Sequence, residues 1–165
     1  MSTSTIANQL LKDVMTGPVE TIAPTAPLHE AAQKMRDLDV GALPVCDGTD
    51  LQGMLTDRDI VVRLIAQERD LRGATVHDAM TPGVEYCYED QTVDEAARVM
   101  RDKQIRRLPI LSRSEKLVGI FSLGDVAVKA HEPTTASRVL EGLSRTFQSQ
   151  PVSRTNIDGS TDPQP

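Results

Sequence analysis

Apolar residues recur along this chain in two alternating rhythms. From Leu28 onward they fall at Leu28, Ala31, Ala32, Met35 and Leu38, the i, i+3, i+4, i+7 spacing of a helix with one buried face. Val93, Ala96, Ala97 and Met100 repeat that spacing, and Thr92 with Glu95 three residues on makes the capping-box pattern that opens a helix. After each helix the rhythm becomes that of strands. ALPVC, a polar DGTD and LQGMLT follow the first; RLPIL, a polar SRSEK and LVGIFS follow the second. Asp-Gly in the first polar segment is a hairpin signal. Short strands, VETI and VEYCY, precede the helices, and helical lead-ins, LLKDVM and ATVHDAM, precede those strands. A closing helix is predicted after each hairpin, over 57–66 and 123–130.

The two sets of elements are copies of one unit. DVMTGPVETI from Asp13 aligns with DAMTPGVEYC from Asp78, 65 positions later, and EAAQKMRD aligns with EAARVMRD at the same shift. One residue is inserted in the second turn, so Gly53 matches Gly119 and Asp59 matches Asp125 at a shift of 66. Each copy reads β-α-β-β-α, and three strands with two helices on one side leave apolar surface that a second copy would cover. The expected fold is therefore α/β (α+β), with two β-α-β-β-α repeats packed sheet to sheet with pseudo-twofold symmetry. The expected segments are an arm over 1–10, repeats over 11–66 and 75–131 with a polar linker at 67–74, an amphipathic C-terminal helix within 132–147, and a disordered tail over 148–165.

Composition narrows the function classes. With 39% apolar and 25% charged residues, the chain has the balance of a water-soluble globular domain. No apolar run approaches a membrane span, and the start lacks the basic-then-apolar pattern of a signal peptide, so a cytoplasmic location is expected. A net charge of -6, two Phe, two Tyr and no Trp argue against a nucleic-acid groove. Cys46 and Cys87 lack CxxC spacing and sit in apolar strands. They read as small buried thiols, with disulfide pairing or thiol chemistry as the alternative.

The strand-to-helix junction of each copy carries the candidate chemistry. Gly53-Met-Leu-Thr56-Asp-Arg58-Asp59 ends one hairpin, and Gly119-Ile-Phe-Ser122-Leu-Gly124-Asp125 ends the other. Capping alone accounts for the hydroxyls of Thr56 and Ser122; it accounts less well for aspartate where the box prefers Glu or Gln, and it leaves the glycines unexplained. A helix N-terminus with a hydroxyl, an Asp able to accept from a ribose diol, and a glycine that lets a flat ring approach the backbone together describe a seat for an adenosine phosphate.

G-h-h-[S/T]-x-x-D after a hairpin, in two tandem β-α-β-β-α copies over about 11–130, resembles a pair of cystathionine-β-synthase (CBS) domains, a Bateman module. The resemblance implies a ligand in the cleft between copies, AMP, ADP or ATP ahead of NAD or S-adenosylmethionine, and frequent homodimers. Carried over by position, it implies two crosswise sites. One would use Thr56, Arg58 and Asp59 with the backbone around Ile105, Arg106 and Arg107; the other, Ser122, Gly124 and Asp125 with Val40, Gly41 and Ala42. Thr16 and Thr81 open the first strand of each copy and would contact phosphate or base. Because strand residues alternate in direction, at most one of Arg106 and Arg107 enters a cleft. Those arginines and Arg58 make the Asp59 site the expected stronger seat for phosphate.

Three function classes follow: a regulatory adenosine-nucleotide sensor with no catalytic activity of its own, a dimerisation scaffold without a physiological ligand, and a small enzyme using the cleft as a substrate site. The sensor is favoured. No metal is expected, because Asp57 and Asp59 do not share a helix face and no His or Cys stands near them. His29, His77 and His131 have no nucleophile partner in usable order, so no catalytic residue is assigned. With no output domain in the sequence, a sensor would signal through an unidentified protein partner; the 134–147 segment is a candidate contact on its amphipathic spacing, with packing against its own domain as the alternative.

Overall fold

The computed structural model describes residues 6–122 and 124. In order these form a 3-10 turn (Ile6–Asn8), α1 (Leu11–Val14), α2 (Leu28–Asp37), β1 (Ala42–Asp47), β2 (Asp50–Thr56), α3 (Asp57–Ile60) running into a π-helical turn (Val61–Ile65), α4 (Val76–Ala79), β3 (Thr81–Pro82), β4 (Cys87–Tyr88), α5 (Val93–Lys103), β5 (Arg107–Leu111) and β6 (Leu117–Ser122). The predicted closing helix of the second repeat, apart from helical Gly124, lies outside the described residues, as do Asp125, the 132–147 helix and the 148–165 tail. Among the described residues no helix is long and apolar enough to cross a membrane.

Each hairpin forms where the alternating pattern places it. Gly48 takes φ +61° in the first turn, and Glu115 takes the same φ in the second. Both hairpins slip register at matched positions, between Val45 and Cys46 and between Ile110 and Leu111. The predicted strand VETI shrinks to one parallel bridge from Ile22 to Val45, while its counterpart β4 pairs in parallel with β5. α5 opens with the expected box: Thr92 N–H donates to Glu95 Oε2 at 2.7 Å and Glu95 N–H to Thr92 Oγ1 at 3.3 Å. The helix faces are narrower than their spacing suggests. Leu28, Ala31 and Met35 are buried, whereas Ala32 is exposed and Leu38 is 43% exposed.

The repeats exchange their lead-ins. Leu11 and Val14 of the first repeat pack into one core with Val93, Ala96, Met100, Leu108, Ile110 and Phe121 of the second. Val76, Ala79 and Met80 of the second repeat join Leu28, Ala31, Leu43, Val45 and Leu55 of the first. Hydrogen bonds mirror this swap: Leu11 N–H donates to Gln91 O at 2.8 Å and Val76 N–H to Ala26 O at 3.0 Å; Val93 N–H donates to Gln9 O at 3.0 Å and Leu28 N–H to Ala74 O at 2.9 Å. Met-Thr of each lead-in supplies an edge to the other repeat's sheet. Thr81 pairs with Met54, and Thr16 bridges to Ile120. The sheets are thus β1-β2-β3 and β4-β5-β6; the counterpart of β3 in the second sheet is the Thr16–Ile120 bridge, and that of β4 in the first is the Ile22–Val45 bridge.

Candidate ligand-binding cleft

The exchange first explains the two glycines. A Cβ on Gly53 would stand 2.3 Å from Thr81 O, and one on Gly119 would stand 2.5 Å from Met15 Sδ and 2.9 Å from Thr16 O. Both make room for the neighbouring repeat's Met-Thr segment, not for a ring as expected from the sequence. The physical reason is the edge pairing itself, which brings a backbone against β2 and β6 at those positions.

The first junction is an internally satisfied cap. Thr56 N–H and Oγ1 donate to Asp59 Oδ2 at 2.9 and 2.6 Å, and Asp59 N–H donates to Thr56 Oγ1 at 3.1 Å. The expectation that aspartate serves a box poorly is corrected here. Adjacent Asp57 serves its own turn, accepting from Arg58 N–H at 2.7 Å, and its N–H donates to Gly41 O at 3.1 Å. The Arg58 side chain is exposed. Sequence reasoning missed Arg63, on the π-helical turn one helical step beyond Asp59. Its Nη1 donates to Ala79 O at 3.0 Å and Met80 O at 2.7 Å, its Nη2 donates to Thr81 Oγ1 at 2.9 Å, and Nη2 lies 3.6 Å from Asp59 Oδ1. Its position at i+4 from Asp59 was the available signal.

The other side opens into a cleft of about 370 Å³ lined by both repeats. Val40, Ala42 and Ser122, grouped there by the sequence, do meet in it, and Thr16, which the sequence assigned to neither site, joins them. Gly41 directs its carbonyl to the Thr56 junction through Asp57, and a Cβ on Gly124 would stand 3.5 Å from Ser122 Oγ. Arg107 departs from expectation. It stands opposite Ser122 in the β5–β6 pairing and lines this cleft, so the Ser122 side is not ringed only by small neutral residues. Ile105 packs against the second core, and Arg106 is exposed on the loop entering β5. The charge asymmetry expected from sequence therefore loses Arg107 to the opposite side, because pairing register sets which residue faces which junction.

The remaining walls were not legible as site residues. Pro18, Val19, Leu38, Leu43, Pro44 and Ile120 make them apolar, and Glu20 adds a carboxylate at the rim. Lys34 bonds Glu20 at 2.8 Å and Thr21 O at 2.7 Å; that bond and its charge hold the Glu20 carboxyl below the usual range. A clue lay in Leu38 and Val40, apolar residues just beyond a helix end that remain 43% and 38% exposed.

Neither thiol reaches this site. Cys46 and Cys87 are free, buried and on different sheets, and burial pushes each up to about 11. Among the described residues no group of three or more His, Cys, Asp or Glu side chains is gathered to hold a metal.

Two like halves with exchanged lead-ins, enclosing a cleft lined from both, define a pseudo-twofold tandem-repeat module. The chain belongs to the CBS domain family, whose model matches residues 11–66 and 76–132. It is 41% identical over 135 residues to the CBS domain-containing protein YhcV of Bacillus subtilis, covering 81% of this chain and 94% of that one. Hypoxic response protein 1 of Mycobacterium tuberculosis is 38% identical over 117 residues, covering 70% of this chain and 81% of its own length. A crystal structure of Hypoxic Response Protein I with two coordinated zinc ions superposes with a TM-score of 0.67 at 37% identity, covering 76% of this chain and all of that one. CBSX2 in complex with AMP gives a TM-score of 0.65 at 27% identity, over 73% of this chain and 95% of that one. The CBS domain pair of MJ0100, solved with 5-methylthioadenosine and S-adenosyl-L-methionine, gives 0.65 at 28%, over 73% and 94%.

Proposed function

We propose that this CBS pair is a regulatory module that binds an adenosine-type ligand in the Ser122 cleft and has no catalytic step of its own. The carrying observation is the convergence of Thr16, Val40, Ala42, Arg107 and Ser122 from both repeats on one apolar-walled cleft. Its volume falls in the range of small-molecule sites, and few polar groups among apolar walls suit a base with a polar tail. Arg107 offers a guanidinium for phosphate, which favours AMP, ADP or ATP over an uncharged nucleoside. AMP and S-adenosylmethionine in related CBS pairs support the same ligand class.

Output would pass through a homodimer and a protein partner. Val61, Val62 and Ile65 expose apolar surface together on the π-helical turn, which supports a self-association face. Cytoplasmic location belongs to the same reading.

The scaffold reading is favoured by one observation: Thr56 and Asp59 satisfy each other without a ligand. Thermal shift separates the two. A ligand at 100 times its Kd adds about 2.7 kcal/mol, or roughly 5–11 °C in a domain of this size. A shift of that size with AMP, ADP or ATP supports the sensor; no shift with any adenosine compound leaves the scaffold.

A further inference from the structure

The two junctions are related by the repeat, and the first is occupied by the protein itself. Arg63 lies where both candidate ligand groups of the first junction converge: one nitrogen donates to Thr81 Oγ1 and approaches Asp59 Oδ1, and the other spans Ala79 O and Met80 O. Asp59 Oδ2 is already taken by Thr56. The carboxylate is consequently engaged through both oxygens, and the Thr81 hydroxyl is held by a charged donor.

This arrangement has a physical cause in the guanidinium. Its planar fork reaches several acceptors at once, whereas an ammonium offers one compact charge. It also places a cation at the last carbonyls of α4, where the helix end favours positive charge. Ala79 and Met80 are buried, and the guanidinium is a donor to both their carbonyls. A ligand seeking Asp59 and Thr81 must first displace that fork from three acceptors. At the matching position of the second repeat, 66 residues on, the sequence has Lys129, which has no fork.

We propose that Arg63 is an internal occupant of the Thr56–Asp59 junction, leaving the Ser122 cleft as the one adenosine-ligand seat in each chain. The inference rests on the function proposed above and specifies its stoichiometry. It makes Arg63 a specificity-determining residue that excludes ligand from one of two related positions.

Isothermal titration of the full chain with AMP tests it, comparing wild type with Arg63→Ser. The expected result is one AMP per wild-type chain and two per Arg63→Ser chain, with the gained site lost again on adding Thr81→Val. Circular dichroism melts verify folding. If Arg63→Ser does not fold, Arg63→Gln, which keeps the stem and an amide donor, takes its place. Two AMP per wild-type chain, or an unchanged count of one in the variant, overturns the inference and leaves the proposed function standing. No AMP on wild type but one on the variant overturns the Ser122 seat and supports the occupant. No AMP on either overturns both.

Discussion

Leu11 donates its backbone N–H to Gln91 O at 2.8 Å, although 80 positions separate them and they belong to different repeats. Each repeat's lead-in therefore completes the core of the other, and the halves stand or fall together.

Truncating that lead-in should damage the second repeat's core. Leu11 is fully buried against it, and replacing a buried leucine with alanine costs about 2–5 kcal/mol. Urea denaturation of Leu11→Ala should show that loss, with hydrogen exchange accelerated in β5 and β6 before β1. Exposed Lys12→Ala should stay within about 0.5 kcal/mol of wild type. Equal, small effects from both would contradict lead-in exchange.

The two glycines should differ in tolerance. A Cβ on Gly53 meets the Thr81 carbonyl oxygen at 2.3 Å and the Pro82 backbone, whereas one on Gly119 meets the flexible Met15 side chain first and the Thr16 carbonyl oxygen only at 2.9 Å. Gly53→Ala should cost about 1–3 kcal/mol or more by overpacking, and Gly119→Ala less. Melting temperatures ordered the other way would refute the account of edge pairing.

Arg107 should matter for charged ligands only. Arg107→Ala is expected to weaken AMP by about tenfold or more, the loss of a charge-assisted hydrogen bond, and to leave any adenosine binding near wild type. Parallel titrations with AMP and adenosine make the comparison; equal loss for both would remove Arg107 from phosphate recognition.

Alkaline pH should destabilise the fold through its thiols. Burial, with Asp50 beside Cys46 and Glu95 beside Cys87, raises both from an ordinary 9.0 to about 11. The unfolded chain loses these protons first, so their contribution is full below about pH 9 and fades as pH rises toward about 11. Urea midpoints should fall over that window, and less in a Cys46→Ala, Cys87→Ala chain. In the native state below about pH 9 both thiols should resist maleimide and react after unfolding.

Much of this architecture was legible because its signals are local. Helix spacing at Leu28–Met35 and Val93–Met100, the Thr92–Glu95 box and the Asp-Gly turn each depend on neighbours within a few residues. Repetition then reinforced the helix spacing by stating it twice. Where a signal was read too broadly, at Ala32 and Leu38, the helix period was right and only the width of the buried stripe was wrong.

The sequence by itself determined the duplication, the order of elements and the residue types available to a cleft. Only the tertiary structure decided which backbone crosses Gly53 and Gly119, that Arg107 faces Ser122, and that Arg63 reaches Thr81. Those outcomes depend on strand register and on pairing between segments far apart in the chain. Periodicity reports which face of an element is apolar, but not which distant element comes to cover it.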